Sequence, residues 1–361
     1  MRRKMKALGA VATVGLFMVA CSSGSNSSAT NTPESPLFSC GRLSAMQDDL
    51  WGYIDQEGQF VIPPQFDYCY EFASNGMARV LFGDQFGYVD TEGGYLINPQ
   101  FDYADDFSDN GLALVRVGDY YGYIDQEGNY AVNPQFDSAV GFGKGKYAAV
   151  EVRGKWGYID SEGHYVINPQ FEGANAFAAN GLAPVKLNGV WGFIDTSGKF
   201  VINPRFEMAF PFDQTNLARV IVDQKFGYVD QKGTYVINPQ FEVASGFSSD
   251  NYATVAVNDR YGVIDVKGNY VINPQFQSLG IMYSDRAYFF ENNKLGYINL
   301  KGQKVIVAQF DSVSDLFTFG GGFGSDGYAA VRFGDGYGVI NSNGNYVINP
   351  TLQGLNGFSI D

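Results

Sequence analysis

The chain has 361 residues and a formal net charge of −14, with 38 Asp and Glu against 24 Lys and Arg. This acidic balance argues against nucleic acid or an anionic membrane surface as the partner, because both are polyanions. A hydrophobic content of 45% and an aromatic content of 16% exclude a disordered chain and allow a sizeable core. One His and three Cys leave little material for imidazole chemistry or a zinc site, so we expect no metal and no cofactor.

The first twenty residues have the features of a secretion signal. Arg2, Arg3, Lys4 and Lys6 precede an apolar run over residues 7–20, which is too short to span a membrane. The run ends in Met18-Val19-Ala20-Cys21, which resembles the lipobox of bacterial lipoproteins. That resemblance implies that residues 1–20 are removed and that Cys21 becomes the lipidated N-terminus. An ordinary secretory signal followed by a chance Cys is the alternative.

The next segment, residues 21–37, is rich in Ser, Asn and Pro and has nothing to bury. It predicts a disordered tether between the lipid and a folded domain at 38–361. Removal of residues 1–20 deletes four basic groups and no acidic one, which changes the net charge from −14 to −18. We therefore expect a lipid-anchored protein of the cell envelope, on the periplasm-facing outer membrane or the cell surface.

The folded part consists of nine copies of one unit. Trp51-Gly52-Tyr53-Ile54-Asp55 recurs with its Gly at 87, 122, 157, 192, 227 and 262, a constant spacing of 35, and then at 296 and 338. Each copy is followed by a sequence similar to the Tyr-Val-Ile-Asn-Pro-Gln-Phe of residues 165–171. A short acid-x-Ala-x-x-Phe stretch and a Leu-Ala-x-Val motif, as at 112–115, complete the unit. A fixed period of this length is typical of repeat architectures.

Each unit predicts short antiparallel strands and no helix. Leu-Ala-x-Val and Gly-Tyr-Ile-Asp favour two strands joined by a tight turn, and Asp-x-x-Gly, as in Asp55–Gly58, is typical of a type I turn. Pro ends the third strand because it cannot donate to a ladder, and the following Phe and Ala favour a short fourth strand. No segment has a sustained helical period, so the predicted fold is all-β.

The large residues of adjacent strand positions point to both faces of each small sheet, so neighbouring units must cover both faces. Face-to-face stacking allows a closed, propeller-like ring or an open superhelical β-meander stack. We favour the ring, because equal repeats suit rotational closure and a ring has no exposed end faces. Because the chain begins near Leu43 and ends near Phe358 with whole units, we expect no blade shared by the two ends.

The repeated motif resembles the WG-repeat family, also called KWG repeats, over about residues 41–358. Trp51-Gly52 and Trp191-Gly192 match its aromatic-Gly pair literally, and Lys155-Trp156-Gly157 gives the full triplet. The last two units depart from the pattern, with Asn299 and Asn341 at the turn Asp, which is typical of a terminal cap. The resemblance implies a bacterial repeat scaffold that binds a partner, and it supplies no catalytic residues.

A carboxylate recurs at the same turn of most units and suggests two roles. The turn aspartates are Asp55, Asp90, Asp125, Asp160, Asp195, Asp230 and Asp265. They could bind Ca²⁺, but an Asp that accepts backbone N–H bonds within its own turn explains them equally. We favour the structural role, because the acid two residues later becomes Ser197, Lys232 or Lys267 and no ligand set persists.

The remaining reactive side chains suggest no catalytic site. His164 occupies a slot that holds Gln, Gly, Asn, Lys or Thr in other units, so we expect a solvated turn residue. Cys40 and Cys69 are the two cysteines left after lipidation, and outside the cytoplasm they favour one disulfide over two free thiols.

The variable turns between the Leu-Ala-x-Val strand and the aromatic-Gly strand are the candidate binding surface, because packing positions recur and these do not. We expect them to share one rim. Surface variation without function is the alternative. The candidate residues are Asp84, Gln85, Asp119, Tyr120, Arg153, Lys155, Asp223, Lys225, Asp259 and Arg260, with Phe317 and Phe319 in a Gly-rich insertion that runs to Gly327.

These observations predict a non-catalytic, envelope-anchored scaffold that binds a protein or a glycan. The alternative is a carboxylate-dependent glycan hydrolase with a cleft in a propeller-type fold. Non-repeating carboxylates that converge at one end of the ring would favour the enzyme. Polar groups that merely repeat would favour the scaffold.

Overall fold

The computed structural model describes residues 36–143, 145–311 and 322–356. All regular elements in these ranges are strands, and they form nine separate antiparallel sheets of three or four strands. Each sheet is called a blade below. The described part of the chain contains no helix long and apolar enough to cross a membrane.

The strands follow one another in chain order, blade by blade. Blades 1 to 3 contain β1 (Leu43–Gln47), β2 (Leu50–Ile54), β3 (Phe60–Phe66), β4 (Tyr68–Phe72), β5 (Ala78–Phe82), β6 (Gln85–Val89), β7 (Tyr95–Phe101), β8 (Tyr103–Ala104), β9 (Ala113–Val117), β10 (Tyr120–Ile124) and β11 (Tyr130–Phe136). Blades 4 to 6 contain β12 (Ser138–Ala139), β13 (Ala148–Val152), β14 (Lys155–Ile159), β15 (Tyr165–Phe171), β16 (Gly173–Ala174), β17 (Ala183–Leu187), β18 (Val190–Ile194), β19 (Phe200–Phe206), β20 (Met208–Phe212), β21 (Ala218–Val222), β22 (Lys225–Val229) and β23 (Tyr235–Phe241). Blades 7 to 9 contain β24 (Val243–Ala244), β25 (Tyr252–Val257), β26 (Arg260–Asp265), β27 (Tyr270–Phe276), β28 (Ala287–Glu291), β29 (Lys294–Ile298), β30 (Lys304–Phe310), β31 (Tyr328–Phe333), β32 (Gly336–Asn341) and β33 (Tyr346–Leu352), after which β34 (Gly354–Asn356) returns to blade 1.

A complete blade has four strands in sequential order, as in β4-β5-β6-β7. The first strand is the short Phe/Ala segment, the second is Leu-Ala-x-Val, the third carries the aromatic-Gly pair, and the fourth carries Asn-Pro. The predicted short extra strand is thus confirmed. In blades 8 and 9 the first strand is reduced to isolated bridges, Leu279 with Phe289 and Asp311 with Arg332.

The Gly of the aromatic-Gly pair is explained by how the fourth strand crosses the third. In blade 4, Trp156 pairs with Phe171 and Tyr158 with Ile167, so the fourth strand bulges between these partners. A Cβ at Gly157 would lie 2.5 Å from the carbonyl oxygen of Ile167. Only a residue without a side chain allows the two backbones to approach this closely.

The hydrophobic core lies between blades. Leu114 and Tyr123 of blade 3, for example, pack against Val150 and Ile159 of blade 4. Nine such clusters occur among the described residues, one for each pair of adjacent blades. A Tyr of the third strand also joins blades: Tyr158 Oη donates to the carbonyl oxygen of Asn175, 2.8 Å away in the next blade. Each blade is therefore covered by its two neighbours.

The ring is closed, and the fold is a nine-bladed β-propeller. The cluster between blades 9 and 1 contains Leu43 and Ile54 from one end of the chain and Val339 and Ile348 from the other. An Asp-x-x-Gly turn also shows that blades 9 and 1 are neighbours. A Cβ built on Gly58 in blade 1 would lie 3.2 Å from Ile348 in blade 9. The favoured ring is confirmed.

The expectation that no blade is shared between the two ends is wrong. β34 pairs with β1, with Ala45 opposite Leu355, and supplies the first strand of blade 1. The physical reason is that the sequence units and the blades do not begin at the same strand. A blade begins with the short strand that follows Asn-Pro in the preceding sequence unit, so the last unit ends with the strand that blade 1 lacks.

The antiparallel order places two kinds of turn on opposite faces of the ring. The hairpin face, as named here, carries the turns between second and third strands and the connections from each fourth strand to the next blade. The Asp-Gly face carries the Asp-x-x-Gly turns and the loops between first and second strands. The described chain starts at the Asp-Gly face, where Phe38 N donates to Asp326 Oδ2 at 3.0 Å and Arg42 Nε donates to Thr91 O at 3.4 Å.

Candidate functional site

Most of the hairpin-face turns share one backbone geometry. In blade 4, φ is 52° at Arg153 and 74° at Gly154, and in blade 5 it is 51° at Asn188 and 81° at Gly189. In seven of the nine turns both central residues have positive φ. These are the features of two-residue type I′ turns, whose twist matches that of the strands they join.

A carboxylate holds these turns in place. In seven of the nine blades, an acid that follows the fourth strand of the preceding blade accepts a hydrogen bond from the turn, as from Gly118 N to Asp102 Oδ2 at 2.6 Å and from Arg153 N to Asp137 Oδ2 at 2.6 Å. In blade 1 the amide oxygen of Gln353 takes this role for Asp48 N, at 2.7 Å. The sequence analysis missed this contact, although the recurrence of an acid after Phe was its signal.

The structure brings the candidate turn residues together on the hairpin face. Ten of the twelve are described, and all ten are exposed except Lys225, which is half-buried. Their backbones are fixed by the strands and by the connecting acids, while their side chains differ from blade to blade. Phe317 and Phe319 lie outside the described residues, as do Cys21 and the predicted signal peptide and tether up to residue 35.

One part of the hairpin face is acidic and apolar. We define the acidic-apolar sector as the turns of blades 9, 1, 2 and 3, at residues 333–336, 47–50, 82–85 and 117–120. These turns contain five Asp and no Lys or Arg. They also expose large apolar side chains, namely Phe333 (51%), Leu50 (37%), Phe82 (52%), Val117 (38%) and Tyr120 (50%).

The other five turns have a different composition. We define the mixed-charge sector as the turns of blades 4 to 8, at residues 152–155, 187–190, 222–225, 257–260 and 291–294. They contain five Lys and Arg with three Asp and Glu, and their apolar residues are partly buried. Two of the lysines pair with connecting acids, Lys225 Nζ with Glu242 Oε1 at 3.3 Å and Lys294 with Asp311. The predicted mixed-charge surface is therefore restricted to one side of the face.

On the opposite face, the recurring aspartates hold their own turns. Asp160 Oδ1 accepts hydrogen bonds from Glu162 N at 3.0 Å and His164 N at 2.9 Å. The bond from the His164 backbone is the main cause that lowers the pKa of Asp160. The predicted hydrogen bonds from backbone N–H groups to the turn aspartate are therefore present in this turn. Among the residues that the structure describes, no three His, Cys, Asp or Glu side chains are grouped to hold a metal ion.

Two single-residue expectations have different outcomes. His164 is a solvated turn residue, as expected, with 72% of its side chain exposed. The expected disulfide is not formed, because Cys40 and Cys69 are not bonded to each other. Cys69 is buried between blades 1 and 2, whereas Cys40 is exposed on the Asp-Gly face and its Sγ donates to Ala73 O at 3.5 Å. The first strand of blade 2 thus places Cys69 in the core.

A buried charged group joins blades 2 and 3. Arg79 is 1% exposed, and its Nη1 donates to Ala104 O at 2.6 Å. Its Nε lies 3.3 Å from Asp106 Oδ1, and its guanidinium carbon lies 3.7 Å from the centre of the Tyr70 ring. Burial lowers the pKa of Arg79, but the carboxylates of Asp106 and Asp105 outweigh burial and raise the pKa overall.

Glu71, near this group, has a strongly raised pKa. Burial raises the pKa of Glu71 well above its usual range, and the negative charges of Asp106 and Asp326 raise it further. Glu71 and Asp106 occupy the same repeat slot, which holds Gly141, Ala176 and Pro211 in blades 4 to 6. An acid at this slot in two neighbouring units was a signal that the sequence analysis missed.

Comparison with known proteins identifies the repeat and supports the fold. Nine segments between residues 51 and 359 match the family described as the WG containing repeat: 51–85, 86–121, 121–156, 156–191, 191–226, 226–261, 261–294, 296–337 and 337–359. The search of curated proteins gave no match.

Solved structures show likeness in fold. A eukaryotic initiation factor has a TM-score of 0.61 at 10% identity, over 86% of this chain and 97% of that one. The dihydro-heme d1 dehydrogenase NirN has a TM-score of 0.44 at 9% identity, over 75% and 73% of the two chains. AztD from Citrobacter koseri has a TM-score of 0.40 at 11% identity, over 73% and 92%. With its nine repeats forming nine blades, the chain belongs to the WG-repeat family.

Proposed function

We propose that this protein is a non-catalytic scaffold, anchored to the cell envelope by a lipid on Cys21, that binds a protein or glycan partner on its hairpin face. One observation carries the proposal: the turn backbones of this face repeat, whereas their side chains do not. A face with a uniform support and variable side chains is suited to recognition, because rigid strands position loops that are free to differ.

The position of the first described residues supports this orientation. Phe38 and Arg42 contact the Asp-Gly face, so the tether that precedes them joins the ring on that side. The hairpin face is on the opposite side of the ring. A lipid-anchored molecule would therefore direct its hairpin face away from the attachment point of the tether.

The structure also supports a preorganised surface. Seven of the nine turns have type I′ geometry, and seven are held by neighbouring carboxylates, as in the 2.8 Å bond from Gly189 N to Glu172 Oε2. Little backbone order would have to be gained on binding, and the entropic cost of association is correspondingly smaller.

Turn replacement tests the proposal. In the full-length, membrane-anchored protein, Asp48-Asp49, Gly83-Asp84 and Arg153-Gly154, in which both residues have positive φ, are each changed to Asn-Gly, the sequence that blade 5 has at Asn188-Gly189. We expect cross-linked partner, or bound glycan on an array, to be lost while the melting temperature is retained, because Asn-Gly favours the same turn. Capture by the folded variant at the wild-type level would contradict a binding role for this face.

A carboxylate-dependent glycan hydrolase is the second candidate, favoured by the group around Glu71. A protonated Glu71 beside an ionised Asp106 would provide a general acid and a charged carboxylate, the pairing that glycan hydrolysis requires. Glu71→Gln should then abolish release of reducing ends from envelope polysaccharide, while Glu57→Gln at an exposed turn should not. Equal release by both variants, or none by the wild-type protein, would reject this candidate.

A further inference from the structure

We infer that the acidic-apolar sector binds a cationic polypeptide segment that carries apolar side chains. This inference rests on the proposed function, since it names the class of partner and the part of the hairpin face that receives it. It specifies a protein, rather than a glycan, as the partner.

Exposed apolar side chains distinguish this sector from the rest of the face. Phe333, Phe82 and Tyr120 each leave about half of their surface in water, at 51%, 52% and 50%. The equivalent residues Val222 and Val257 of the mixed-charge sector are partly buried. Apolar side chains are exposed in the turns of four consecutive blades, at the first turn position in blades 9, 2 and 3 and at the fourth in blades 1 and 3. This exposure is a property of one side of the ring, which the repeat itself does not require.

The charge of the sector is uniform. Its aspartates are Asp335, Asp48, Asp49, Asp84 and Asp119, and no ion pair involving them occurs in the described part of the chain. The connecting acids Asp67 and Asp102 add negative charge at its base. The nearest cations on these strands are the half-buried side chains of Arg116 and Arg332, each one residue before its turn. Arg332 Nε already donates to Gly334 O at 3.0 Å.

The mixed-charge sector differs in this respect as well. Its Lys225 pairs with Glu242, a connecting acid of the same sector, whereas its Lys294 pairs with Asp311, which supports the blade 9 turn of the acidic-apolar sector. Among the described residues, the five turn aspartates of the acidic-apolar sector have no ion-pair partner. The hairpin face therefore has its unbalanced negative charge where its apolar side chains are exposed. Charge complementarity selects a cationic partner, and long-range attraction raises its association rate.

The aromatic residues add a requirement for apolar contact. A Lys or Arg side chain can lie along Phe82 or Tyr120 and still reach Asp84 or Asp119, which combines cation–π contact with an ion pair. Apolar side chains of the partner would cover what remains of Phe82 and Phe333. A second copy of this chain fits less well, because its net charge is −14 and its own hairpin face has no comparable excess of cations.

The test uses a short synthetic peptide in which Arg and Leu alternate, with binding to the full-length protein followed by fluorescence anisotropy. The first variant is Asp84→Asn with Asp119→Asn, and the second is Phe82→Ser with Phe333→Ser. The matched control is Asp223→Asn with Asp259→Asn, at the same turns of blades 6 and 7. We expect each sector variant to weaken binding about tenfold or more, and the control by less than about twofold.

Three results would overturn the inference. Equal weakening by the control pair would show diffuse attraction to an acidic protein. Equal binding of a peptide in which Glu and Leu alternate would remove the role of charge. A wild-type dimer in sedimentation that the sector variants dissociate would make a second copy the occupant. If turn replacement abolishes partner capture and the sector variants do not, the proposed function stands and only this inference fails.

Discussion

Leu355, near the C-terminus, and Ala45, at the start of the ring, are direct partners in one antiparallel ladder. Both are buried, with 7% and 0% of their surface exposed. The first and last segments of the described chain thus complete the same sheet, and the ring has no free end blade. Such a junction stabilises the whole ring, because opening it would expose the core between blades 9 and 1.

Leu355→Ala should destabilise the protein by about 2–4 kcal/mol, the range for loss of a buried leucine side chain. The measurement is thermal or denaturant unfolding of the full-length protein. Val347→Ala, at a position that is 40% exposed in β33, is the matched control and should cost much less. Equal stability of the two variants would mean that β34 does not hold the ring closed.

Gly157→Ala tests the crossing of the third and fourth strands. The new Cβ would meet the backbone of Ile167 at 2.5 Å and Pro169 at 2.6 Å, so backbone atoms must move. We expect a loss of about 1–3 kcal/mol, the scale of overpacking, measured by chemical denaturation. Gly246→Ala, where no heavy atom lies within 4 Å of the built Cβ, should be nearly neutral.

Asp160→Ala should cost about 1 kcal/mol, because its Oδ1 accepts hydrogen bonds from Glu162 N and His164 N. The pKa of Asp160 is lowered in the folded protein, so its contribution is present above the ordinary Asp pKa and is lost as pH falls through the folded value. Wild type and variant should therefore converge in stability in acid. If the turn aspartates bind metal instead, a chelator should lower the melting temperature of the wild-type protein.

Glu71→Gln should have the opposite dependence on pH. Burial raises the folded pKa of Glu71, so the folded protein holds this proton more tightly than the unfolded chain does. The stability that protonation gives is complete below the ordinary Glu pKa and is lost as pH rises through the folded value. The neutral variant should therefore melt higher than wild type near pH 7 and similarly near pH 4, the ordinary value being about 4.3. Glu57→Gln is the control, and a lower melting point for Glu71→Gln at pH 7 would contradict this account.

Cys21→Ser should release the protein from the membrane fraction and abolish labelling with a fatty-acid probe. The expected reason is loss of the thiol that carries the lipid, since the tether has no apolar run of its own after residue 20. Cys40→Ser is the control, because Cys40 is a free, exposed thiol of the folded domain. Membrane association of Cys21→Ser at the wild-type level would exclude a lipid anchor at this residue.

The sequence by itself determined the repeat, the strand types and the role of the turn aspartates. Gly157, Asp160 and Tyr158 recur at fixed spacing because each makes a contact within its own unit or with an identical neighbour. Such local, repeated contacts leave a periodic signal. That signal also placed the variable turns, including Arg153 and Asp259, outside the core.

The tertiary structure alone decided what depends on the whole ring. The sequence pattern of the last unit does not show that Leu355 belongs to blade 1, because its partner Ala45 is about three hundred residues away and closure depends on the summed angle of nine packed blades. The same holds for the acidic-apolar sector, whose blades 9 and 1 are neighbours only after closure. It also holds for Cys69, which lies in the core between blades 1 and 2 and forms no disulfide with Cys40. Contacts made once between distant segments leave no periodic trace in a single sequence, so only the folded ring reveals them.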